Sequence, residues 1–181
     1  MIKTRIARKS ISIIAACIGT LLLAAGIALP SASADRSASG GPVEPQNEPP
    51  GFSEGSCQPS ANPPPAPNAV AASDCVNNTM PGGPPFARTE KFADQNTLNN
   101  AFQTDARSTA LQPCPGSSDS APASWNATNP PPANGSVICY TSSDNMAHVE
   151  WTNTHDLVKV DASGPAMASL YGWWHGLITT A

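Results

Sequence analysis

Positive charge is scarce in this chain once its first nine residues are set aside. Beyond Lys9, Lys and Arg are represented only by Arg36, Arg88, Lys91, Arg107 and Lys159, against thirteen carboxylates. Five against thirteen is a net charge of minus eight, which the whole-chain value of minus four conceals because Lys3, Arg5, Arg8 and Lys9 sit together at the start. Nucleic acid and anionic lipid both reward clustered Lys and Arg, so neither is expected as a partner. Catalytic signatures are lacking too. There is no G-x-S-x-G elbow, no S-x-x-K and no H-E-x-x-H. No two cysteines have the C-x-x-C spacing of a zinc site. The expectation is therefore no catalytic residue, no cofactor and no metal.

What is present begins with an address. The four early cations precede an uncharged run from Ile11 to Leu29, closed by Pro30 and Ser31-Ala32-Ser33-Ala34. A positive end, an apolar core, a helix breaker and small residues at a cleavage site make a secretory signal, expected to span 1–34 with cleavage before Asp35. Two rivals stay open. The run approaches the roughly 20 residues that span a bilayer, so it is also long enough to be retained as an anchor, the one case in which a membrane is a partner. Ile14-Ala15-Ala16-Cys17 is similar to a lipidation box, although the stronger apolar stretch follows it. Arg8 is followed by Lys9, so a twin-arginine route is not indicated.

Export implies oxidation, and Cys57, Cys75, Cys114 and Cys139 then form bridges. Three pairings are open. Cys57 with Cys75 and Cys114 with Cys139 is favoured because each pair lies within one compositional block, closing loops of about 20 residues worth roughly 3 kcal/mol each.

Residues 35–85 are dominated by Pro, Gly, Ser, Ala and Asn, with Phe52 as the one aromatic. Such a segment buries too little apolar surface to offset the entropy of ordering it, and is expected to be a disordered, semi-rigid spacer or, alternatively, a docking or O-glycosylation tract. All four tryptophans and both tyrosines come later, which places the folded domain at 86–181. Leu98, Ala101, Phe102 and Ala106 recur at helical spacing behind a cap at Asp94 or Asn96, and Pro113 ends that element. Ser124 to Thr128 is a candidate strand, and Asn129 to Gly135 reads as a loop. Ser136 to Thr141, Met146 to Thr152 and Leu157 to Ala162 are strand-like runs separated by turn residues, an antiparallel meander with one buried face and one wet face. Ser163 and Pro165 start a second helix with an apolar stripe of Met167, Leu170, Tyr171, Trp174 and Ile178. The expected fold is α+β, a small antiparallel sheet of roughly three to four strands packed by two helices.

Leu98-x-x-Ala101-Phe102, Pro113-Cys114-Pro115-Gly116, Trp125, Val137-Ile138-Cys139-Tyr140, Val149-Glu150-Trp151 and Leu170-Tyr171-Gly172-Trp173-Trp174 together resemble a small exported domain of actinobacterial, mycobacterial-type envelope proteins. That domain is of unknown function and sometimes carries a serine/threonine-kinase label. The resemblance covers about Leu98 to Trp174 and implies a fold and a compartment, the secreted or cell-envelope space. It transfers no catalytic residue. The chain itself lacks a G-x-G-x-x-G loop, a His-Arg-Asp loop and an Asp-Phe-Gly metal ligand, so phosphoryl transfer is not expected.

Three residues stand as candidate binding groups. His148 and Glu150 share a strand face, and His155 with Asp156 follows in the next turn, so these could converge on a cation; an exposed polar face is the plainer reading. Trp173 stands about 100° from Trp174 on the second helix, at the edge of the stripe, where it would stack on a sugar or meet a protein, or pack against Leu170 and Leu177. The function expected from all this is a non-enzymatic secreted or envelope-associated binding module for an envelope component or exported protein. The alternative is a small secreted hydrolase of envelope polymers using His148, Glu150 or Asp156.

Overall fold

The computed structural model describes residues 48–53, 55–60, 66–118, 120–127 and 132–180. The expected signal, its cleavage point, Cys17 and the Pro-rich stretch up to residue 47 lie outside the described residues. Ten elements follow in order. They are β1 Cys57–Pro59, β2 Ala69–Val76, β3 Phe86–Phe92, α1 Gln95–Ser108, β4 Leu111–Gln112, β5 Ala123–Ala127, β6 Ala133–Thr141, β7 Ala147–Asn153, β8 Val158–Gly164 and α2 Met167–Thr180.

The strands make one antiparallel eight-stranded sheet in the order β1-β2-β3-β8-β7-β6-β4, with β5 also paired to β6. This corrects the expectation of a three-to-four-stranded sheet behind a disordered segment. The meander β6-β7-β8 is where its turn residues put it, but β8 is not an edge. Its free side takes β3, β3 takes β2, and β2 takes β1. The folded region therefore starts well before Phe86. Even the stretch before β1 docks on it. Asn78 Nδ2 donates to the Pro50 carbonyl at 2.9 Å, Thr79 N to Gly51 at 2.8 Å, and Phe52 packs against the hydrophobic cluster.

The added strands form because register lets unlike charges meet. In β3, Arg88 stands between Asp74 of β2 and Asp161 of β8, and Glu90 stands opposite Lys159 of β8. Opposite charges in directly facing positions stabilise a ladder, so a strand rich in charge is acceptable at the centre of a sheet. In β2, small Ala72, Ser73 and Cys75 are buried, and the Cys57–Cys75 bridge links it to β1, where the two cysteines are register partners. The second bridge, Cys114–Cys139, ties the turn after β4 to β6.

The two helices cover opposite faces of the sheet. Lys159 and Val160 are neighbours in β8 and so point to opposite sides. Lys159 meets Asp105 of α1, whereas Val160 belongs to the cluster that holds Leu170, Trp173 and Trp174 of α2. That second face is apolar. Trp174 sits edge-on to Trp125 at 6.2 Å, and Trp173 sits edge-on to Trp151 at 6.1 Å. Each such buried aromatic contributes roughly 1.5–3 kcal/mol by area alone. Trp173 is only 6% exposed, so it is a core residue and not an edge platform. The expected stripe of α2 packs as read, with Leu170 and Trp174 in the core and Met167, Tyr171 and Ile178 half-buried against it, and Trp173 joins it at i+3 from Leu170.

β6 begins inside the region expected to be a loop. Gly135 makes this possible, because a Cβ there would come within 1.8 Å of the Thr152 carbonyl oxygen of β7. The same carbonyl accepts the Trp125 indole N–H at 3.0 Å. α1 starts at Asp94, whose carboxylate accepts the Thr97 N–H at 2.9 Å, and it buries Leu98 and Phe102.

Candidate functional site

The face under α1 is not wet, as alternation in β7 and β8 had suggested, but buried and charged. Three strands each bring two polar groups at i, i+2 spacing to it. These are Arg88 and Glu90 from β3, His148 and Glu150 from β7, and Lys159 and Asp161 from β8. Tyr140 of β6 pairs with His148, and Asp105 comes down from α1. Together with Ala66 and Thr109, seven of these groups (Arg88, Glu90, Asp105, Tyr140, Glu150, Lys159 and Asp161) line a cleft of about 280 Å³.

Lys159 is its hub. Its Nζ lies 3.1 Å from Glu90 Oε2 and 3.8 Å from Glu150 Oε1, and it donates to Asp105 Oδ2. Burial alone would push this ammonium down, but Glu150, Glu90 and Asp105 together hold it above the ordinary lysine value. Arg88 is committed on its far side, with Nε 2.7 Å from Asp74 Oδ1 and its terminal nitrogen 3.0 Å from Oδ2. The forked, two-point geometry holds its head in place. Glu90 Oε1 accepts the Ala66 N–H at 2.8 Å.

Glu150, like Glu90, has a buried oxygen with no hydrogen-bond partner. Its side chain is 3% exposed, yet Oε1 accepts no hydrogen bond. Burial raises its carboxyl well above the usual range, Lys159 opposes that shift, and the charges of Asp161, Asp105 and Glu90 add to it. A buried acceptor without a donor carries a penalty of about 1–3 kcal/mol, which the Lys159 ammonium 3.8 Å away offsets in part.

At the rim, Asp161 accepts from Tyr140 Oη at 3.3 Å and lies 3.0 Å from His148 Nδ1. The Tyr140 and His148 rings stack at 4.5 Å. Burial first, then the Asp161 charge, pushes the Tyr140 phenol up, so it stays a donor. His148 Nε2 is 3.1 Å from Ser142 Oγ, which gives a serine, a histidine and an aspartate in one chain of contacts. The proton count argues against a nucleophile. Ser142 Oγ is 2.5 Å from Asp144 Oδ1, a contact in which the hydroxyl is the donor, and its bond lowers the Asp144 carboxyl below the ordinary value. The Ser142 proton is thus drawn toward Asp144 and the Met146 carbonyl, away from His148 Nε2. The group locks the β6–β7 turn.

Of the residues singled out in the sequence, Glu150 lines the cleft, His148 stands at its rim behind Tyr140, and Trp173 lies on the opposite face. His155 bonds Asp156 at 2.8 Å in the exposed β7–β8 turn and does not join His148. Among the described residues, the side chains that cluster closely enough to hold a metal ion are Glu48, Cys57 and Cys75, and those two sulfurs are bonded to each other. Arg88, Glu90, Asp105, Tyr140, Lys159 and Asp161 were not expected at the site. The signal available for them was the repeated i, i+2 pairing of charge in strands that alternate with apolar residues.

Among the described residues no helix is long and apolar enough to cross a membrane. Set against protein-family models, curated proteins and solved structures, the chain has no match.

Proposed function

We propose that this chain is a non-enzymatic extracytoplasmic binding module that takes a small polar ligand in the cleft between α1 and the central strands. The observation that carries this reading is the cleft itself, about 280 Å³ beneath α1 and lined by seven polar or charged side chains drawn from four strands and the helix. A wall of purely structural ion pairs would close on itself; this one leaves an open volume beside them. The leader, the two bridges and the resemblance to exported actinobacterial envelope domains support the compartment. The turn of the Ser142 hydroxyl toward Asp144 instead of His148 weighs against the hydrolase reading.

The test is a thermal-shift screen of the exported, oxidised chain against anionic, cationic and neutral small polar compounds. A saturable rise in Tm that is lost in both Glu150→Gln and Tyr140→Phe is expected. Hits that survive both substitutions would place binding elsewhere and end this reading. Intact mass of the exported product, with and without reduction, checks processing, lipidation and bridge count together.

A further inference from the structure

A groove of different chemistry lies on the other face of the sheet, where the C-terminal half of α2 passes β5. It holds about 370 Å³, within the roughly 300–1,000 Å³ of small-molecule sites. Aromatic rings line it from both sides, Trp125 from β5 and Tyr171, Trp174 and His175 from α2. The three helical residues fall at i, i+3 and i+4 and so share a face. Trp125 and Trp174 are 9% and 1% exposed and form the floor, with the Trp125 indole N–H spent on the Thr152 carbonyl. Tyr171 is half-buried and His175 exposed. Their ring planes are 29° apart and their centroids 6.1 Å apart, an offset that leaves part of each ring bordering the groove.

No Asp, Glu, Lys or Arg lines this groove, in contrast to the cleft under α1. Its polar groups are neutral hydroxyls, an amide and an imidazole, from Ser124, Asn126, Tyr171, Thr179 and His175, and each can both donate and accept. Among the described residues, the Asn126 amide, the Tyr171 phenol and the His175 ring nitrogens have no hydrogen-bond partner, and the Thr179 hydroxyl, which donates to the His175 carbonyl at 2.8 Å, keeps its oxygen as an acceptor. A charged ligand finds no counter-charge here, and an anion would also meet the net negative charge of the chain. A wholly apolar ligand would cover the polar rim without satisfying it. An uncharged sugar ring suits both parts, because its C–H face lies on an aromatic ring and each of its hydroxyls gives and takes a hydrogen bond.

We propose that the groove between β5 and the C-terminal half of α2 binds a neutral pyranose unit of a glycan, with Tyr171 and His175 as the stacking platform and Asn126 and Thr179 as hydrogen-bonding partners of its hydroxyls. The groove and the α1 cleft lie on opposite faces of the sheet, so this is a further site and neither reading depends on the other.

The experiment is saturation-transfer-difference NMR of the oxidised chain, with tryptophan fluorescence as a second readout. Mannotriose, maltotriose and triacetylchitotriose are the neutral probes, beside chitotriose and trigalacturonate as cationic and anionic matches. Saturable binding of at least one neutral trisaccharide is expected, with a change in fluorescence because Trp125 and Trp174 form the floor. His175→Ala, an exposed change, and Tyr171→Ala, checked for folding by circular dichroism, should each weaken it by about tenfold. Asn126→Ala, also exposed, should weaken it several-fold. No binding of any neutral probe, binding unchanged in both ring variants, or a charged match that binds as tightly as the neutral probes overturns the inference. Binding that survives both ring variants and is lost in Tyr140→Phe would put the sugar in the α1 cleft, overturning this site while supporting the binding-module reading.

Discussion

Glu150 and Asp161 are direct partners across the β7–β8 ladder, so two carboxylates stand side by side on one face of the sheet. Like charges in facing positions are destabilising. The sheet offsets the pair from its flanks. Arg88 is the partner of Asp161 on the other side, His148 lies 3.0 Å from it, and Lys159 reaches Glu150 from the next position on that face.

Lys159→Met is therefore expected to destabilise the protein by about 3–5 kcal/mol, because it leaves Glu90 and Glu150 buried without their cation. Adding Glu90→Gln and Glu150→Gln to that variant should recover much of the loss. Urea denaturation of the three proteins checks this; a Lys159→Met midpoint equal to wild type would show that the hub is ornamental.

Stability should carry a pH signature from Glu150. Its carboxyl is raised in the folded state above the ordinary value of 4.5, by burial first and against the pull of Lys159. A folded state that holds this proton more tightly than the unfolded chain is favoured below that value, and the contribution is lost as pH rises through the raised one. Glu150→Gln cannot ionise, so its Tm should gain on wild type as pH is raised from the ordinary carboxyl value of 4.5 through the raised one. A constant difference across that range would contradict the assignment. Lys159 adds a loss only above its ordinary 10.5, since its folded-state value is raised.

Trp173→Ala should cost about 3–5 kcal/mol, the range for emptying a buried aromatic site, with loss of a tryptophan held against Trp151. A rim residue would cost a few tenths. Thermal denaturation followed by near-ultraviolet circular dichroism distinguishes the two.

The meander, both helices and the Asp94 cap were legible because each has a local signature: period-2 runs between turn residues, or an apolar stripe behind a capping side chain. β2 and β3 were not. Ala69 to Val76 is small and polar inside a Pro-rich stretch, and Phe86 to Phe92 carries Arg88, Glu90 and Lys91, so neither has the composition of a central strand. What makes them strands is non-local. Arg88 needs Asp74 and Asp161, and Glu90 needs Lys159, partners that only the assembled register supplies. The site was half legible for the same reason. His148 and Glu150 were seen to share a face, but burial of that face depends on α1 closing over it through Asp105.

Each bridge should matter separately. Replacing Cys114 and Cys139 by Ser removes a link within the hydrophobic cluster and is expected to cost roughly 3 kcal/mol, read from the urea midpoint. Replacing Cys57 and Cys75 is expected to expose amides of β1 to hydrogen exchange, because that strand has three residues and, among the described residues, pairs only with β2. Unchanged exchange in β1 would mean that its ladder alone suffices.

The borders of the sheet are brief. One is three-residue β1, ending in Pro59 and bolted to its neighbour; the other is two-residue β4 beside five-residue β5. Among the described residues a stranger's strand finds only short runs of backbone on which to zip, such as the start of β2 beyond β1, so copies of this protein should stay separate at concentrations where a long bare border would seed fibres.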